Sequence, residues 1–262
     1  MPIELIDSHC HLDRLDLNAL GMDMDGVVDA AAHQGVTHLL CVCIDYSNFA
    51  DVLEIAQTRA NVFASVGVHP NEENCEEPTL EGLLSRADDP NIVAIGETGL
   101  DYFRCQGDMA WQQQRFRVHI EAAKSLNKPL IIHTRDAKAD TLAILKEGNA
   151  AQCGGVLHCF TEDWAMASAA LEMGFYISFS GIVTFKNATE LKEVAKRVPL
   201  ERMLVETDAP YLTPVPFRGK PNQPAHVRHV AEHIAELRQI SVEELAAATT
   251  ENFFTLFDSA ER

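Results

Sequence analysis

The sequence has no excess of positive charge and no long apolar run. Its 39 aspartates and glutamates outnumber 21 lysines and arginines, for a formal net charge of −18. That balance argues against a protein that coats nucleic acid with a broad basic surface. Apolar runs fall short of the ~20 residues that a membrane helix needs, and the start "MPIELIDSH" lacks a basic and apolar leader pattern. We therefore expect no association with a membrane.

The cysteines also lack a framework, since the seven are odd in number and form no CxxC pair. Disulfide frameworks are typical of secreted proteins, so this pattern predicts a reducing compartment and a cytoplasmic location. No linker or low-complexity tract divides the 262 residues. We therefore expect residues 1–262 to form a single domain. No coiled coil or exposed apolar stripe defines an oligomeric state, and a monomer is favoured.

Short apolar, β-branched runs recur along the chain and alternate with helix-like segments. They span residues 3–7, 37–43, 62–68, 92–96, 129–133, 155–160, 175–180 and 203–207. Eight strands alternating with helices, one predicted over 111–126, indicate a parallel sheet with crossover helices. Eight such units in this length are typical of an α/β, TIM-type (β/α)8 barrel. A doubly wound open sheet is the alternative, but no GxGxxG follows the first strand.

A last helix is predicted over 241–257. Ser241 is a suitable N-cap, and Glu244 follows three residues later. We expect this C-terminal helix to pack on the base or the side of the barrel.

Chemically useful side chains follow nearly every predicted strand. They are His9, His11, His69, Glu97, His133, His158, Glu206 and Asp208. Because side chains alternate along a strand, His9 and His11 of "HCH" should point the same way. The C-terminal ends of barrel strands meet at one mouth, so we expect all of these residues to converge there.

Four of these histidines and two carboxylates fit two adjacent divalent ions, with a carboxylate such as Glu97 able to bridge them. Two such ions can acidify a shared water and hold the attacking and leaving oxygens of a displacement, which indicates a hydrolase. A single histidine at a strand end is more often a hydrogen-bonded loop residue. The prediction therefore depends on the joint placement, and the donor set does not choose among Mg²⁺, Mn²⁺ and Zn²⁺.

The remaining histidines are predicted to be structural. His226, His229 and His233 share one helical face, which we interpret as a partly solvated surface. His33, His38 and His119 lie within predicted helices or at a strand start, away from the working end.

Taken in order, these motifs resemble the TatD family of metal-dependent deoxyribonucleases, a branch of the amidohydrolase-like TIM barrels. The matching stretches cover nearly the whole chain: "DSHCHLD" (7–13), "GVHP" (67–70), "GETGLDY" (96–102), "PLIIHTRDA" (129–137), "LHCF" (157–160), "ETDAPYL" (206–212), "RGKPNQP" (218–224) and "ENFFTLF" (251–257).

The resemblance implies which residues bind each ion. His9, His11 and Asp208 would hold one ion, His133 and His158 would hold the other, and Glu97 would bridge them. Asp208 would also accept the proton of the attacking water. Glu206 would support the ligands from behind or bind an additional ion. No strand exit carries a lysine, so the carboxylated lysine of many amidohydrolases has no counterpart here.

A two-ion mouth favours a phosphodiester substrate. The resemblance implies a 3′–5′ exonuclease acting on single-stranded or frayed DNA ends, and the acidic charge permits this if only a strand end enters the mouth. Candidate substrate contacts are His69, Tyr102, Arg135 and Arg218, with Arg104 and Lys220 as further basic residues and Phe103, Phe160, Trp164 and Phe217 as further stacking faces.

Two other functions fit the same residues. One is a metal-dependent hydrolase of esters or amides, such as an aminoacyl-tRNA deacylase, because the same activated water attacks carbonyl carbon in related barrels. The other is a metal-loaded scaffold that binds nucleic-acid ends or a protein partner without turnover. Asp208 weighs against the scaffold, because binding alone needs no proton acceptor.

Overall fold

Eight parallel strands, each paired with the next along the chain, form the central sheet. The computed structural model describes residues 3–105 and 107–262. The strands are β1 (Leu5–Cys10), β2 (Val36–Cys41), β3 (Val62–Val66), β4 (Ile92–Asp101), β5 (Leu130–Arg135), β6 (Gly155–Leu157), β7 (Tyr176–Phe179) and β8 (Met203–Val205).

The last strand returns to the first. Just beyond β8, Asp208 N donates to His9 O at 2.9 Å, and His11 N donates to Ala209 O at 2.7 Å. The sheet therefore closes into the predicted TIM-type barrel, and the open doubly wound alternative is wrong.

Helices cover the outside of this barrel. They are α1 (Leu17–Leu20), α2 (Met24–His33), α3 (Phe49–Gln57), α4 (Leu80–Arg86), α5 (Ala110–Leu126), α6 (Lys138–Glu147), α7 (Trp164–Glu172), α8 (Thr189–Arg197), α9 (Val227–Arg238) and α10 (Val242–Leu256). These helices in the described part of the chain are too short or too polar for a transmembrane span.

Strand ends differ from the predicted bounds where side chains of the mouth take over the backbone hydrogen bonds. β6 ends early because Cys159 N donates to the Glu206 carboxylate at 2.7 Å. β8 ends early because Thr207 N donates to Asp7 Oδ1 at 2.8 Å. By contrast, β4 continues to Asp101, five residues beyond its predicted end, and remains paired with β5.

The C-terminal helix α10 closes the end of the barrel at which the strands begin. Ser241 caps it as predicted, its hydroxyl accepting from Glu244 N at 3.1 Å. Phe253 of α10 and Phe257, which caps the C-terminal end of this helix, pack against apolar residues near the strand starts. We call this set the basal cluster: Ile6, Leu40, Val42, Phe63, Val93, Ala94, Ile131, Val156, Tyr176, Leu204, Phe253, Phe257 and Ala260.

Candidate active site

A cavity of about 760 Å³ opens at the other end of the barrel, where the strands finish. Its volume lies within the range of about 300–1,000 Å³ that is usual for small-ligand pockets. Predicted site residues line it or lie directly beneath it: His9, His11, His69, Glu97, His133, His158, Glu206 and Asp208. The predicted convergence of polar side chains is therefore present in the fold.

The buried carboxylate of Glu97 lies at the centre of this group. Its Oε1 faces three imidazole nitrogens, those of His158 at 2.8 Å, His69 at 3.3 Å and His133 at 3.4 Å. Its Oε2 faces two others, those of His9 at 3.4 Å and His11 at 3.9 Å. Each oxygen thus belongs to a different set of donors, which is the arrangement that a bridging carboxylate requires.

The first donor set contains His9, His11 and Asp208. The two Nε2 atoms lie 3.3 Å apart, and Asp208 Oδ1 lies 3.7 Å from His9 Nε2 and 3.4 Å from His11 Nε2. Metal–nitrogen bonds of 2.0–2.1 Å in a tetrahedral site place neighbouring ligand atoms about 3.3–3.4 Å apart. The spacing and the chemistry of this set therefore fit a divalent ion.

A second donor set contains His69 beside the residues that the family resemblance implies. His69 Nε2, Glu97 and His133 Nδ1 offer atoms that all lie within 4.8 Å of one another. The sequence indicates His69 as a candidate substrate contact, and the resemblance gives His158 as the partner of His133. His158 also approaches Glu97 Oε1, but its ring stacks on that of His9 at 3.8 Å between centroids. The geometry therefore adds His69 to the candidate ligands.

Electrostatics keep the central carboxylates ionised. Burial alone would raise the pKa of Glu97, but the neighbouring His158, His69 and His133 outweigh it and hold the pKa well below its usual range. The pKa of Asp208 is also lowered, because His11 and His9 outweigh the effect of burial. Ionised carboxylates are what both metal binding and proton acceptance need.

Glu206 supports the site from beneath. It is fully buried, and its Oε1 accepts from Cys159 N at 2.7 Å and lies 3.3 Å from His158 Nδ1. This contact directs His158 Nε2 towards Glu97. Glu206 Oε2 has no hydrogen-bond partner in the described residues, and His9, His158 and Glu206 form a third group spaced for an ion. Both predicted roles of Glu206 therefore stay compatible with the geometry.

Asp101 plays a matching part for His133, and the sequence reasoning missed it. Its Oδ2 lies 3.1 Å from His133 Nε2 and accepts from Asn71 Nδ2 at 2.8 Å. Its Oδ1 accepts from the backbone N–H groups of Phe103 and Arg104 at 3.0 and 3.1 Å. One buried carboxylate thus fixes a candidate ligand and also the turn that follows β4. This aspartate is part of the "GLDY" motif. Its side-chain direction could not be predicted, because the sequence did not indicate that β4 continues as far as Asp101.

Two glycines allow Glu97 to reach the barrel axis. A Cβ atom on Gly67 would lie only 2.4 Å from the carbonyl carbon of Gly96. Gly96 itself has a φ of 150°, and a Cβ atom there would lie 2.6 Å from Ile131 O. The backbone just after β3 and the backbones of β4 and β5 therefore approach more closely at these positions than side chains would allow.

Comparisons with known proteins agree with this geometry. A family model described as TatD related DNase matches residues 6–258. The chain belongs to the TatD family. The uncharacterized metal-dependent hydrolase YcfH of Escherichia coli (strain K12) is 52% identical, over 97% of this chain and 95% of its own length. The chain is therefore a TatD-family metal-dependent hydrolase.

Two further relatives of this TatD-family chain are informative. A protein from Citrobacter koseri named 3′-5′ ssDNA/RNA exonuclease TatD is 34% identical, over 91% of this chain and 94% of its own. The crystal structure of YjjV, a TatD homolog from Escherichia coli K12, has a TM-score of 0.89 at 30% identity and covers 98% of this chain and 99% of its own. The fold thus extends over the whole length of a solved TatD homolog.

Some predicted substrate contacts of the TatD-family chain line the cavity, and others lie outside it. Arg135 lines the cavity and stacks on Phe103, with 3.8 Å from its guanidinium carbon to the ring centroid. Tyr102 does not line this cavity, and its hydroxyl donates to Asp140 at 2.7 Å. Arg218 is also outside it, stacked on Phe185 at 3.7 Å. The structure gives these last two side chains partners within the protein.

Other predicted contacts follow the same division. Arg104 lines the cavity, whereas Phe160 is buried, Phe217 stacks on His226 at 4.6 Å and Trp164 lies under Arg197. The structure adds Arg14, Asn71 and Tyr211 to the lining. None of these three follows a predicted strand directly, so only the positions of the loops bring them to the mouth.

Proposed function

We propose that this chain is a two-metal deoxyribonuclease that acts as a 3′–5′ exonuclease on single-stranded or frayed DNA ends. The observation that carries the proposal is the position of Glu97, whose two oxygens face two different sets of donors beneath an arginine-bearing mouth. Divalent ions bound there would supply Lewis acidity and offset the negative charge that develops on a phosphodiester.

Each residue of the chain then has a defined task. His9, His11 and Asp208 would hold one ion, His69 and His133 with His158 beside them would hold the other, and Glu97 would be shared between the two sets. The Asp208 carboxylate has a lowered pKa, borders the cavity and faces the histidines of one donor set, whereas Glu97 faces histidines of both sets. We therefore assign to Asp208 the acceptance of the proton of the attacking water.

The candidate ions stay Zn²⁺, Mn²⁺ and Mg²⁺; with His69 added, the donor set is richer in imidazole, which suits Zn²⁺ better than the other two. Imidazole is a weaker ligand for Mg²⁺, which prefers oxygen donors and retained waters. Activity with Mg²⁺ would then depend on the carboxylates Glu97 and Asp208.

The substrate assignment is supported by charge and by one relative. Arg14, Arg104 and Arg135 line the cavity of a chain whose net charge is −18. Positive side chains are therefore present where a strand end would enter, and binding should involve only ~2 to 4 phosphate contacts with a shallow salt dependence. The Citrobacter koseri relative, whose name states 3′-5′ exonuclease activity on ssDNA and RNA, points in the same direction.

The test uses single-stranded DNA oligonucleotides labelled at either end. Metal-stripped protein is supplied with Mg²⁺, Mn²⁺ or Zn²⁺, and Glu97→Ala and Asp208→Asn are assayed beside it. We expect a ladder that shortens from the 3′ end, requires metal and disappears in both variants. An acylated oligonucleotide is included because release of the acyl group without DNA cleavage would instead identify an ester hydrolase. Binding of DNA ends without turnover of either substrate would identify a scaffold.

A further inference from the structure

We infer that the mouth holds two unpaired bases on two separate aromatic stations, Tyr211 on one side and Phe103 with Arg135 on the other, with the scissile phosphate between them. The inference rests on the proposed function and specifies its substrate as a splayed terminal dinucleotide unit.

The first observation is the exposure of these two rings. The described part of the chain has three exposed large hydrophobic side chains: Phe103 at 60%, Tyr211 at 49% and Val215 at 46%. Exposed aromatic rings near a binding cavity offer faces on which unpaired bases can stack. Both exposed aromatic residues belong to loops that leave the mouth end of the barrel, Phe103 after β4 and Tyr211 after β8.

The second observation is their relative position. The strands are ordered β1 to β8 around the barrel, and β8 returns to β1. Strands β4 and β8 are therefore four places apart in either direction, which puts their loops on opposite sides of the mouth. Glu97 and the histidines lie between them. Bases stacked on the two loops would point away from each other, with their linking phosphate over the candidate metal centre.

The loops that carry the two rings are held by residues in or next to the candidate metal centre. The Tyr211 ring lies 6.0 Å from the His11 ring, and Tyr211 N donates to Asp208 O at 2.8 Å. The side-chain amide of Asn222 donates to Thr207 O at 3.0 Å and also to Tyr211 O, which holds this loop. On the other side, Asp101 holds the turn that carries Phe103.

The Phe103 station already has one half of its stack. The Arg135 guanidinium covers one face of the ring at 3.8 Å, yet the side chain is still 60% exposed, so the other face is open. Arg135 has no carboxylate within 4.0 Å among the described residues, so it is available to a phosphate. A base on the open face and a phosphate at the guanidinium would occupy adjacent parts of one nucleotide.

This geometry excludes a paired end. Two bases that point to opposite sides cannot remain stacked on each other or paired to a second strand. A duplex terminus must therefore fray by two base pairs before it is cut, and nucleotides further along the strand should add little to recognition.

The experiment combines ring removal with base removal. Phe103→Leu and Tyr211→Leu keep an apolar side chain but remove the aromatic face, and Val215→Ala is the matched control on an exposed apolar residue without an aromatic ring. Substrates are six-nucleotide single strands with an abasic site at the terminal or the penultimate position. We expect KM to rise roughly tenfold for each ring or base removed, with kcat changing less.

The pairing of variants with substrates assigns the stations. An abasic site at either position should raise KM for the wild type and for one leucine variant. It should not raise KM further in the other leucine variant, because the ring that stacks on that base is already missing there. Shortening the strand from six to two nucleotides should change KM by less than about threefold. If all KM values lie within about twofold of the wild type, or the effects are additive in every combination, the inference is wrong.

A binding measurement separates this inference from the exonuclease. Fluorescence anisotropy of labelled (dT)6 and (dT)2 with Asp208→Asn, with and without each leucine substitution, needs no cleavage. Cleavage that is insensitive to the two rings would overturn the stations and leave the exonuclease intact. Ring-dependent binding by a protein that cleaves no DNA would overturn the exonuclease and leave the stations intact. If neither DNA cleavage nor ring-dependent binding is observed, the aromatic stations and the exonuclease are both overturned.

Discussion

At the end of the barrel where the strands begin, Phe253 of α10 and the adjoining Phe257 pack on apolar side chains in the basal cluster. At the end where the strands finish, buried carboxylates face buried histidines around Glu97. Buried polar atoms without a hydrogen-bond partner include His9 Nδ1 and Glu206 Oε2, both at this second end. The basal cluster stabilises the fold by apolar burial, whereas the mouth concentrates charges that need a ligand.

This difference predicts that substitutions at the two ends will separate activity from stability. At the mouth, Glu97→Gln should lower kcat by on the order of a thousandfold, because the amide cannot bridge two ions. Metal content after dialysis should fall with it, while the unfolding midpoint of the metal-free protein should not decrease. Glu147→Gln, which changes an exposed partner of Arg117, is the control. A glutamine variant that retains metal and activity would contradict a bridging role.

At the base, Phe253→Ala should lower the free energy of unfolding by about 3–5 kcal/mol, since a large fully buried side chain leaves a cavity. Urea denaturation measures this change. Activity per folded molecule and metal content should stay at the wild-type level. The neighbouring Phe254, which is only partly buried, gives the control Phe254→Ala with a smaller loss. Loss of metal from the folded Phe253 variant would show that the two ends are not independent.

Between the ends, His119 of α5 should make stability depend on pH. Burial lowers its pKa to about 4, and its Nε2 accepts from Val68 N at 3.0 Å in the neutral form. The unfolded chain, with an ordinary pKa near 6.5, binds a proton first, so stability is lost as the pH falls from about 6.5 to about 4. The loss should approach roughly 3 kcal/mol.

Denaturation at pH 7 and pH 4.5 measures this effect. His119→Gln should show a smaller difference between the two pH values than the wild type, whereas His33→Gln, on an exposed histidine, should not. Equal pH dependence in all three proteins would mean that other groups cause it.

The smallest effect is expected for Asp101→Asn, because this substitution touches the mouth without removing a candidate ligand. Loss of the carboxylate behind His133 should weaken metal affinity by about 10–100-fold. It should also raise KM, since the turn that carries Phe103 loses an ionised anchor. Competition with a metal chelator measures the affinity. Asp140→Asn, which changes the nearby acceptor of the Tyr102 hydroxyl, should leave the affinity unchanged.

The two ends also differ in how far sequence reasoning could predict them. The strands, helix α10 and its Ser241 cap could be predicted, because hydrophobic periodicity and capping residues are visible in short stretches of sequence. His9, His11 and Glu97 could be placed because each follows a strand. Asp101 could not, because the continuation of β4 depends on its pairing with β5, and Gly96 and Gly99 interrupt the apolar pattern.

The direction of loop side chains was beyond sequence reasoning. Tyr102 and Arg218 have the right chemistry for a substrate contact, but their orientation depends on partners that are distant in sequence, Asp140 and Phe185. Tyr211 shows the opposite: it borders the cavity, but nothing in the sequence motif "ETDAPYL" indicates a role for its ring. The hydrogen bonds of Asn222 that hold its loop appear only in the folded chain.

The contact between Gly67 and Gly96 has an evolutionary consequence. Neither residue offers a functional group, yet a methyl group on Gly67 would overlap the backbone of Gly96. A first substitution at either position would displace Glu97 before a compensating change could arise. We therefore expect new substrates to be acquired through changes in the peripheral loops that carry Phe103 and Tyr211, and not through changes at the two glycines.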